Sequence, residues 1–195
     1  MADVFVRRAR LIDAAGFAAV QRRSWLTAAA DLALPPPPDA DEMARSWEKA
    51  VIAPPSDRHS TWVAVETSSD GESVVGAAAL VPAADPDLDA TTCLELVVFA
   101  IDPDHHGKGH GSRLLTAALQ TASDTGEQEA VTWVAAGDDA LRRFLEGAGW
   151  AADGAHRTLS ADEPTASEVV DEGPAPGPVT HLRQVRLGTS LEPSR

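Results

Sequence analysis

The chain has 195 residues, 44% of them apolar, a single cysteine and a formal charge of −14, which predicts one domain spanning residues 1–195 with a core of its own. Cys93 alone cannot form an internal disulfide or a multi-cysteine zinc site, no apolar run is long enough to span a membrane, and no basic, apolar and small-residue leader is present, so a reducing cytoplasm is the expected compartment. The acidity speaks against nucleic acid, because phosphate contacts need clustered Lys and Arg, and it favours a cationic partner.

Taken in chain order, Val4 to Arg8 reads as a first strand. Ile12 to about Ala30 reads as a helix with Phe17, Val20 and Ser24 on one face and Arg22 and Arg23 on another. Pro35 to Pro38 then interrupt the chain, since four prolines donate no amide hydrogens and favour an extended conformation. Asp39 is a predicted N-cap with Glu42 three residues on, and opens a second helix carrying Met43, Trp47 and Val51 at helical spacing. Segments 61–66 and 73–81 flank a polar turn with Asp70 and Gly71, the pattern of a hairpin.

A loop at 84–90 leads into CLELVVFAI, Cys93 to Ile101, a buried strand. From Gly111 a helix is predicted with Leu114, Leu115, Ala118, Leu119 and Ala122 on its apolar face and Gly126 as its stop. Segment 131–136 reads as a strand and 138–150 as a helix, with Asp138 or Asp139 capping it. Segments 156–159 and 180–187 are the last predicted strands. Between them, 161–178 is acidic, then rich in Pro and Gly, and long for a hairpin connection, so it is expected to be a mobile insertion.

The decisive stretch is Ile101 to Leu115, IDPDHHGKGHGSRLL. Glycines at alternate positions, 107, 109 and 111, let successive N–H groups converge on one point at the positive end of a helix, which is a cradle for a phosphate or pyrophosphate. The spacing is neither that of a nucleoside-triphosphate P-loop nor that of the dinucleotide fingerprint. Three nearby histidines, His105, His106 and His110, lack a carboxylate or cysteine pattern that would complete a metal shell, and side chains on a glycine turn are expected to point outward, so no metal is predicted.

Ile101-Asp102-Pro103 followed by His106, Gly107, Lys108, Gly109, His110 and Gly111 resembles motif A of the GNAT superfamily of N-acetyltransferases, with His106 where the family prefers Arg or Gln. DDALRRFLEGAGW, 138 to 150, resembles that family's N-x-x-A-x-x-F-Y-E-x-x-G-F element. The resemblance is clearest over about residues 60 to 160. It implies an α/β (α+β) fold, the GNAT acyl-CoA N-acyltransferase fold, with a mixed, mostly antiparallel central sheet flanked by helices. It also implies acetyl-CoA as co-substrate, and an acetyl group moved to a primary amine of a small molecule or protein. A homodimer is a family-level expectation. The helix–helix connection that holds the prolines borders the acceptor site in the family, while read from its residues alone it is equally a stiff spacer.

By the same resemblance, main-chain amides from His106 to Ser112 would bind the pyrophosphate, Lys108 would add charge attraction or simply stay solvated, and Phe99, Ala100 and Ile101 would bond the pantetheine arm and acyl carbonyl. An alkylamine with pKa near 10.4 is neutral in roughly one molecule in a few thousand at pH 7, a deficit of about 4 to 5 kcal/mol, so a base is required. Glu95 is the candidate, because a strand residue in the wall of a site can be desolvated and its pKa raised; the alternative is a glutamate paired with a basic side chain on the sheet. The family's usual tyrosine acid is replaced by Leu145, and the chain has no tyrosine. Loss of that acid leaves a second reading open, a non-catalytic acyl-CoA-binding module whose insertion docks a partner. Trp133 and Trp150 are expected in the core, and Cys93 as buried filler.

Overall fold

The computed structural model describes residues 3–32, 34–69, 71–160 and 181–191. In chain order the elements are β1 (Asp3–Arg8), a short 3-10 turn (Leu11–Asp13), α1 (Ala14–Leu32), α2 (Ala40–Ile52), β2 (Ser60–Ser68), β3 (Gly71–Pro82), β4 (Cys93–Ile101), a 3-10 turn (Pro103–His105), α3 (His110–Asp124), β5 (Glu129–Ala135), α4 (Asp139–Gly147), β6 (Ala151–Ser160) and β7 (His181–Ser190). The strands form one seven-stranded sheet in the order β1-β2-β3-β4-β5-β7-β6. Every neighbouring pair is antiparallel except β4 with β5.

The sheet is buried on both faces because its strands alternate two apolar sets. Trp62, Ala64, Leu94, Leu96, Ala130 and Val134 pack against Leu114, Leu115, Ala118 and Ala122 of α3 and Leu145 of α4. Val63, Val65, Ala77 and Ala79 pack on the opposite face against Phe17 and Val20 of α1, with Trp47 of α2 closing over Phe17 at a ring separation of 4.1 Å. The proline segment is tied back by the Trp25 indole, which donates to the Pro35 carbonyl at 2.8 Å. Asp39 caps α2 as its sequence predicts, accepting from the amides of Asp41 and Glu42.

Several boundaries differ from the sequence reading, those of β6 most. β6 begins at Ala151 rather than 156, because Gly154 takes a positive φ of 92° and the pairing with β7 shifts register between Ala152 and His156; a bulged strand of small residues carries no clean alternation. β5 begins at Glu129, two residues early, and ends at Ala135. Asp70 of the β2–β3 turn and the 161–178 insertion lie outside the described residues. Among the described residues no helix is long and apolar enough to cross a membrane.

Leu114 is fully buried between α3 and the sheet. Leu114→Ala is expected to lower unfolding free energy by about 2–5 kcal/mol through lost contact and residual cavity, whereas Leu26→Ala on the solvent side of α1 should stay within about 0.5 kcal/mol. Urea denaturation of both variants checks the contrast.

Candidate active site

The site begins where two strands part company. β4 and β5 are hydrogen-bonded only over Cys93↔Glu129, Leu94↔Ala130 and Glu95↔Val131. The next carbonyl, that of Leu96, is taken by a side chain instead, the Thr132 hydroxyl at 2.8 Å. On its other edge β4 carries a bulge, since Ala79 pairs with Val98 and Leu80 with Leu96, leaving Val97 as the extra residue. The bulge re-aims the strand: Leu94, Leu96, Phe99 and Ile101 face α3 and α4, while Glu95, Val98 and Ala100 face the side of α1 and α2.

Beyond β4, Asp102 caps the 3-10 turn by accepting from the Asp104 amide and forms an ion pair with Arg23 of α1. Gly107 and Gly109 follow with φ of 74° and 78°, a left-handed conformation in which a side chain would be strained. Gly109 serves as N-cap of α3 without any side-chain cap. Among the described residues, the amides from Gly107 to Ser112 donate to nothing. Six successive main-chain donors, the last of them in the first turn of a 15-residue helix, are therefore without a protein partner among the described residues. Arg113 closes the rear of the turn by donating to the Lys108 carbonyl at 3.2 Å.

These amides border a cavity of about 750 Å³ between α1, the end of β4, the glycine turn and the start of α4. Of the predicted site residues, Phe99, Ile101, His106, Gly107, Gly109, His110, Gly111 and Ser112 line it. Ala100 points to the opposite face of the sheet, and the exposed Lys108 side chain is not part of the lining. His106 donates from Nε2 to the Ile101 carbonyl at 3.0 Å, folding the turn back onto the strand end. Phe99 and Phe144 stack at 5.4 Å, and a Cβ on Gly111 would come within 3.3 Å of the Phe144 ring, so glycine is what lets α3 approach this aromatic wall.

Sequence reasoning missed part of the lining. Thr27, Ala28 and Asp31 of α1 border the cavity, together with Gly137 and Asp138 at the start of α4. The helical spacing of Ser24, Thr27, Ala28 and Asp31 marks one face of α1, but nothing in the chain says what that face meets. Asp138 caps α4 by accepting from the Leu141 amide at 3.0 Å.

Two expectations about side-chain direction need correcting. His110 points inward and is 1% exposed, beneath the start of α3 and 3.8 Å from Glu66 of β2. Its burial pushes the ring's pKa down, against the pull of Glu66, and neither ring nitrogen has a hydrogen-bond partner. It points inward because Leu114, one turn on, anchors that face of the helix in the core. Trp133 is not core: its indole donates to Asp85 at 3.0 Å and its ring lies under Arg157 and Arg186 on the α1/α2 side of the sheet. Trp150 is in the core as expected. Leu145, at the position of the family's tyrosine, is buried there too, and the α4 aromatic that faces the cavity is Phe144.

Glu95 does not line the cavity; it projects from the opposite face of β4 at the last rung of the parallel ladder. Burial raises its pKa, Arg157 opposes the rise and Asp85 adds to it. Cys93, two residues away and buried, has its thiol pushed by burial to about 11, which leaves it inert as a nucleophile.

A family model described as the acetyltransferase (GNAT) family matches residues 25–150. The chain belongs to the GNAT acetyltransferase family. Among solved structures, an N-acetyltransferase from Staphylococcus aureus Mu50 superposes with a TM-score of 0.68 at 17% identity, over 97% of this chain and 99% of that one. A phosphinothricin acetyltransferase from Sinorhizobium meliloti in complex with acetyl-CoA gives 0.67 at 17% identity, over 97% and 89%. The PaiA N-acetyltransferase from Thermoplasma acidophilum in complex with coenzyme A gives 0.61 at 15%, over 96% and 99%. No curated protein sequence matches. At these identities the likeness is one of fold.

The raised pKa of Glu95 has a consequence for stability. A native state that holds the proton more tightly than the unfolded chain is stabilised by this group at low pH, and loses that contribution as pH rises from the ordinary carboxylate value through the raised one. Glu95→Gln is therefore expected to be more resistant to urea than the parent GNAT protein at neutral pH. The gap should close below about pH 4.3, where both states carry a neutral side chain; a gap that widens on acidification contradicts the assignment.

Proposed function

We propose that this GNAT protein transfers the acetyl group of acetyl-CoA to a primary amine, with the diphosphate held by the free amides of residues 107 to 112. That run of unpaired N–H groups at the end of a split pair of strands is the observation that carries the reading. A diphosphate suits it because successive amides and a helix start both favour anionic oxygens. The family match and the solved relatives that hold acetyl-CoA or coenzyme A support the same choice of co-substrate.

Acetyl-CoA supplies a thioester at whose carbonyl carbon the amine nitrogen forms a bond as the C–S bond breaks; the amine gives up a proton and the thiolate takes one up. The chain's own part is positional and electrostatic. Beyond Glu95 the edge of β4 has left its ladder partner, and its main-chain groups at Phe99, Ala100 and Ile101 are the proposed contacts for the pantetheine arm and acyl carbonyl. Phe99 and Phe144 form an apolar wall that keeps water from the arm. Glu95, on the far side of the strand, accepts the amine's proton directly or through one water, and burial raises its affinity for a proton above that of an ordinary carboxylate.

No tyrosine is present to protonate the thiolate, and Leu145 is packed in the core. Thiol pKa values near 8 to 9 make the thiolate a tolerable leaving group, so water or the protonated amine can supply its proton. The reaction needs no metal. Cytoplasmic residence fits the single reduced cysteine.

Release of free thiol from acetyl-CoA is expected to require an amine, and Glu95→Gln should lower kcat/KM by about 10² to 10⁴ while the rise in Tm on adding acetyl-CoA persists. ATP should give no such rise. Tight binding of acetyl-CoA with no turnover across a broad amine panel would mark the chain as a non-catalytic acyl-CoA-binding module.

A further inference from the structure

On the face of the sheet opposite the cofactor cleft, register places five side chains together. Residues paired across neighbouring strands project to the same face, so the pairs Glu95↔Val131, Trp133↔Arg186 and Arg157↔Gln184 put Glu95, Trp133, Arg186, Gln184 and Arg157 on one surface running from β4 across β5 and β7 to β6. The two arginines there are in opposite states. Arg186 is 4% exposed and its guanidinium makes four hydrogen bonds to carboxylates, donating to Asp87 at 2.5 and 2.9 Å, to Asp153 at 2.6 Å and to Asp85 at 3.3 Å. Arg157 is half-buried, and its Nε donates to the neutral Gln184 side chain at 2.7 Å. Among the described residues no carboxylate lies within ion-pairing distance of it, and its terminal nitrogens donate to no other group.

Arg157 is nonetheless held in place. Its guanidinium carbon sits 4.4 Å above the centroid of the Trp133 ring, and that ring is fixed from the side by its indole N–H on Asp85. The long side chain from β6 thus brings its charge back over β5, next to the strand that carries Glu95. Glu95 lies about one strand spacing, ~4.8 Å, to the side of β5, and its partner Val131 is two residues, about 6.6 Å, before Trp133. A planar fork with unused N–H groups, pre-oriented by stacking, matches a carboxylate bidentately. Asp85 and Glu95 beside it favour an ammonium. The surface offers one place for each sign of charge, a few ångströms apart, which suits a zwitterion and repels the second cation of a diamine.

We infer that the acceptor is an amino acid, a primary amine with a carboxylate near it, with the amine directed to Glu95 and the carboxylate bound by the free fork of Arg157. This inference rests on the acetyl-transfer reading and narrows the expectation of a cationic acceptor. Arg157 is a specificity residue for the acceptor, separate from the cofactor cradle.

The experiment follows thiol release from acetyl-CoA with the full-length chain, using free amino acids, each beside its carboxamide and its decarboxylated amine. The acids are expected to exceed their carboxamides in kcat/KM by on the order of 10- to 100-fold, the range of a charge-assisted pair. In Arg157→Gln the KM for the acid should rise by a similar factor relative to that for the carboxamide, since any change at Glu95 from losing the Arg157 charge acts on both acceptors alike and cancels in the ratio. Equal turnover of acid and carboxamide by the unaltered protein, or an equal loss for both in Arg157→Gln, overturns the inference and leaves amine acetylation standing. No amine-dependent release from any compound overturns both. If Arg157→Gln does not fold, the acid and carboxamide comparison on the unaltered protein decides alone.

Discussion

The organising constraint of this molecule is the early end of the β4–β5 ladder. Parallel strands normally continue their hydrogen bonds for their full length, and a strand that leaves its neighbour inside a protein exposes main-chain groups that cost free energy if nothing meets them. Here three rungs form, and the Thr132 hydroxyl satisfies the next carbonyl, that of Leu96. The remaining edge of β4 faces a cavity. A sheet that stayed closed would have a continuous core at this place and no room for a ligand.

The bulge at Val97 makes the split useful by dividing labour between the two faces of β4. Phe99 and Ile101 point to the side where the glycine turn and α3 present free amides, while Glu95 points to the side where Trp133, Arg157 and Asp85 gather. The ion pair from Arg23 to Asp102 joins α1 to the residue that caps the turn before the glycines, so the helix over the cavity and the glycine turn are positioned as one unit. His110 is buried at the start of α3, and that burial lowers its ring's affinity for a proton.

Much of this was legible before any coordinates. The order of elements follows from alternation in CLELVVFAI, from the cap at Asp39, and from Leu114, Leu115, Ala118 and Ala122 at helical spacing. The glycine turn was legible because left-handed backbone at Gly107 and Gly109 is a local property with a strong residue preference. The directions of side chains around it were less so. His110 reads as one more residue of a loop until Leu114 anchors the same face of α3, and Trp133 reads as core until two arginines and Asp85 are found on its face.

What the chain determined by itself is therefore what depends on near neighbours: strand and helix periodicity, caps, the stiff proline segment, and a glycine-rich turn able to present N–H groups to an anion. What tertiary structure decided is what depends on strands distant in sequence meeting in register. The bulge that sends Glu95 and Phe99 to opposite faces exists only in the pairing of β3 with β4. Arg157 and Arg186 look alike in sequence, yet Arg186 meets Asp85, Asp87 and Asp153 while Arg157, among the described residues, hydrogen-bonds to the Gln184 side chain alone. Charge compensation in a folded protein is set by long-range geometry, and a single sequence carries no direct record of it.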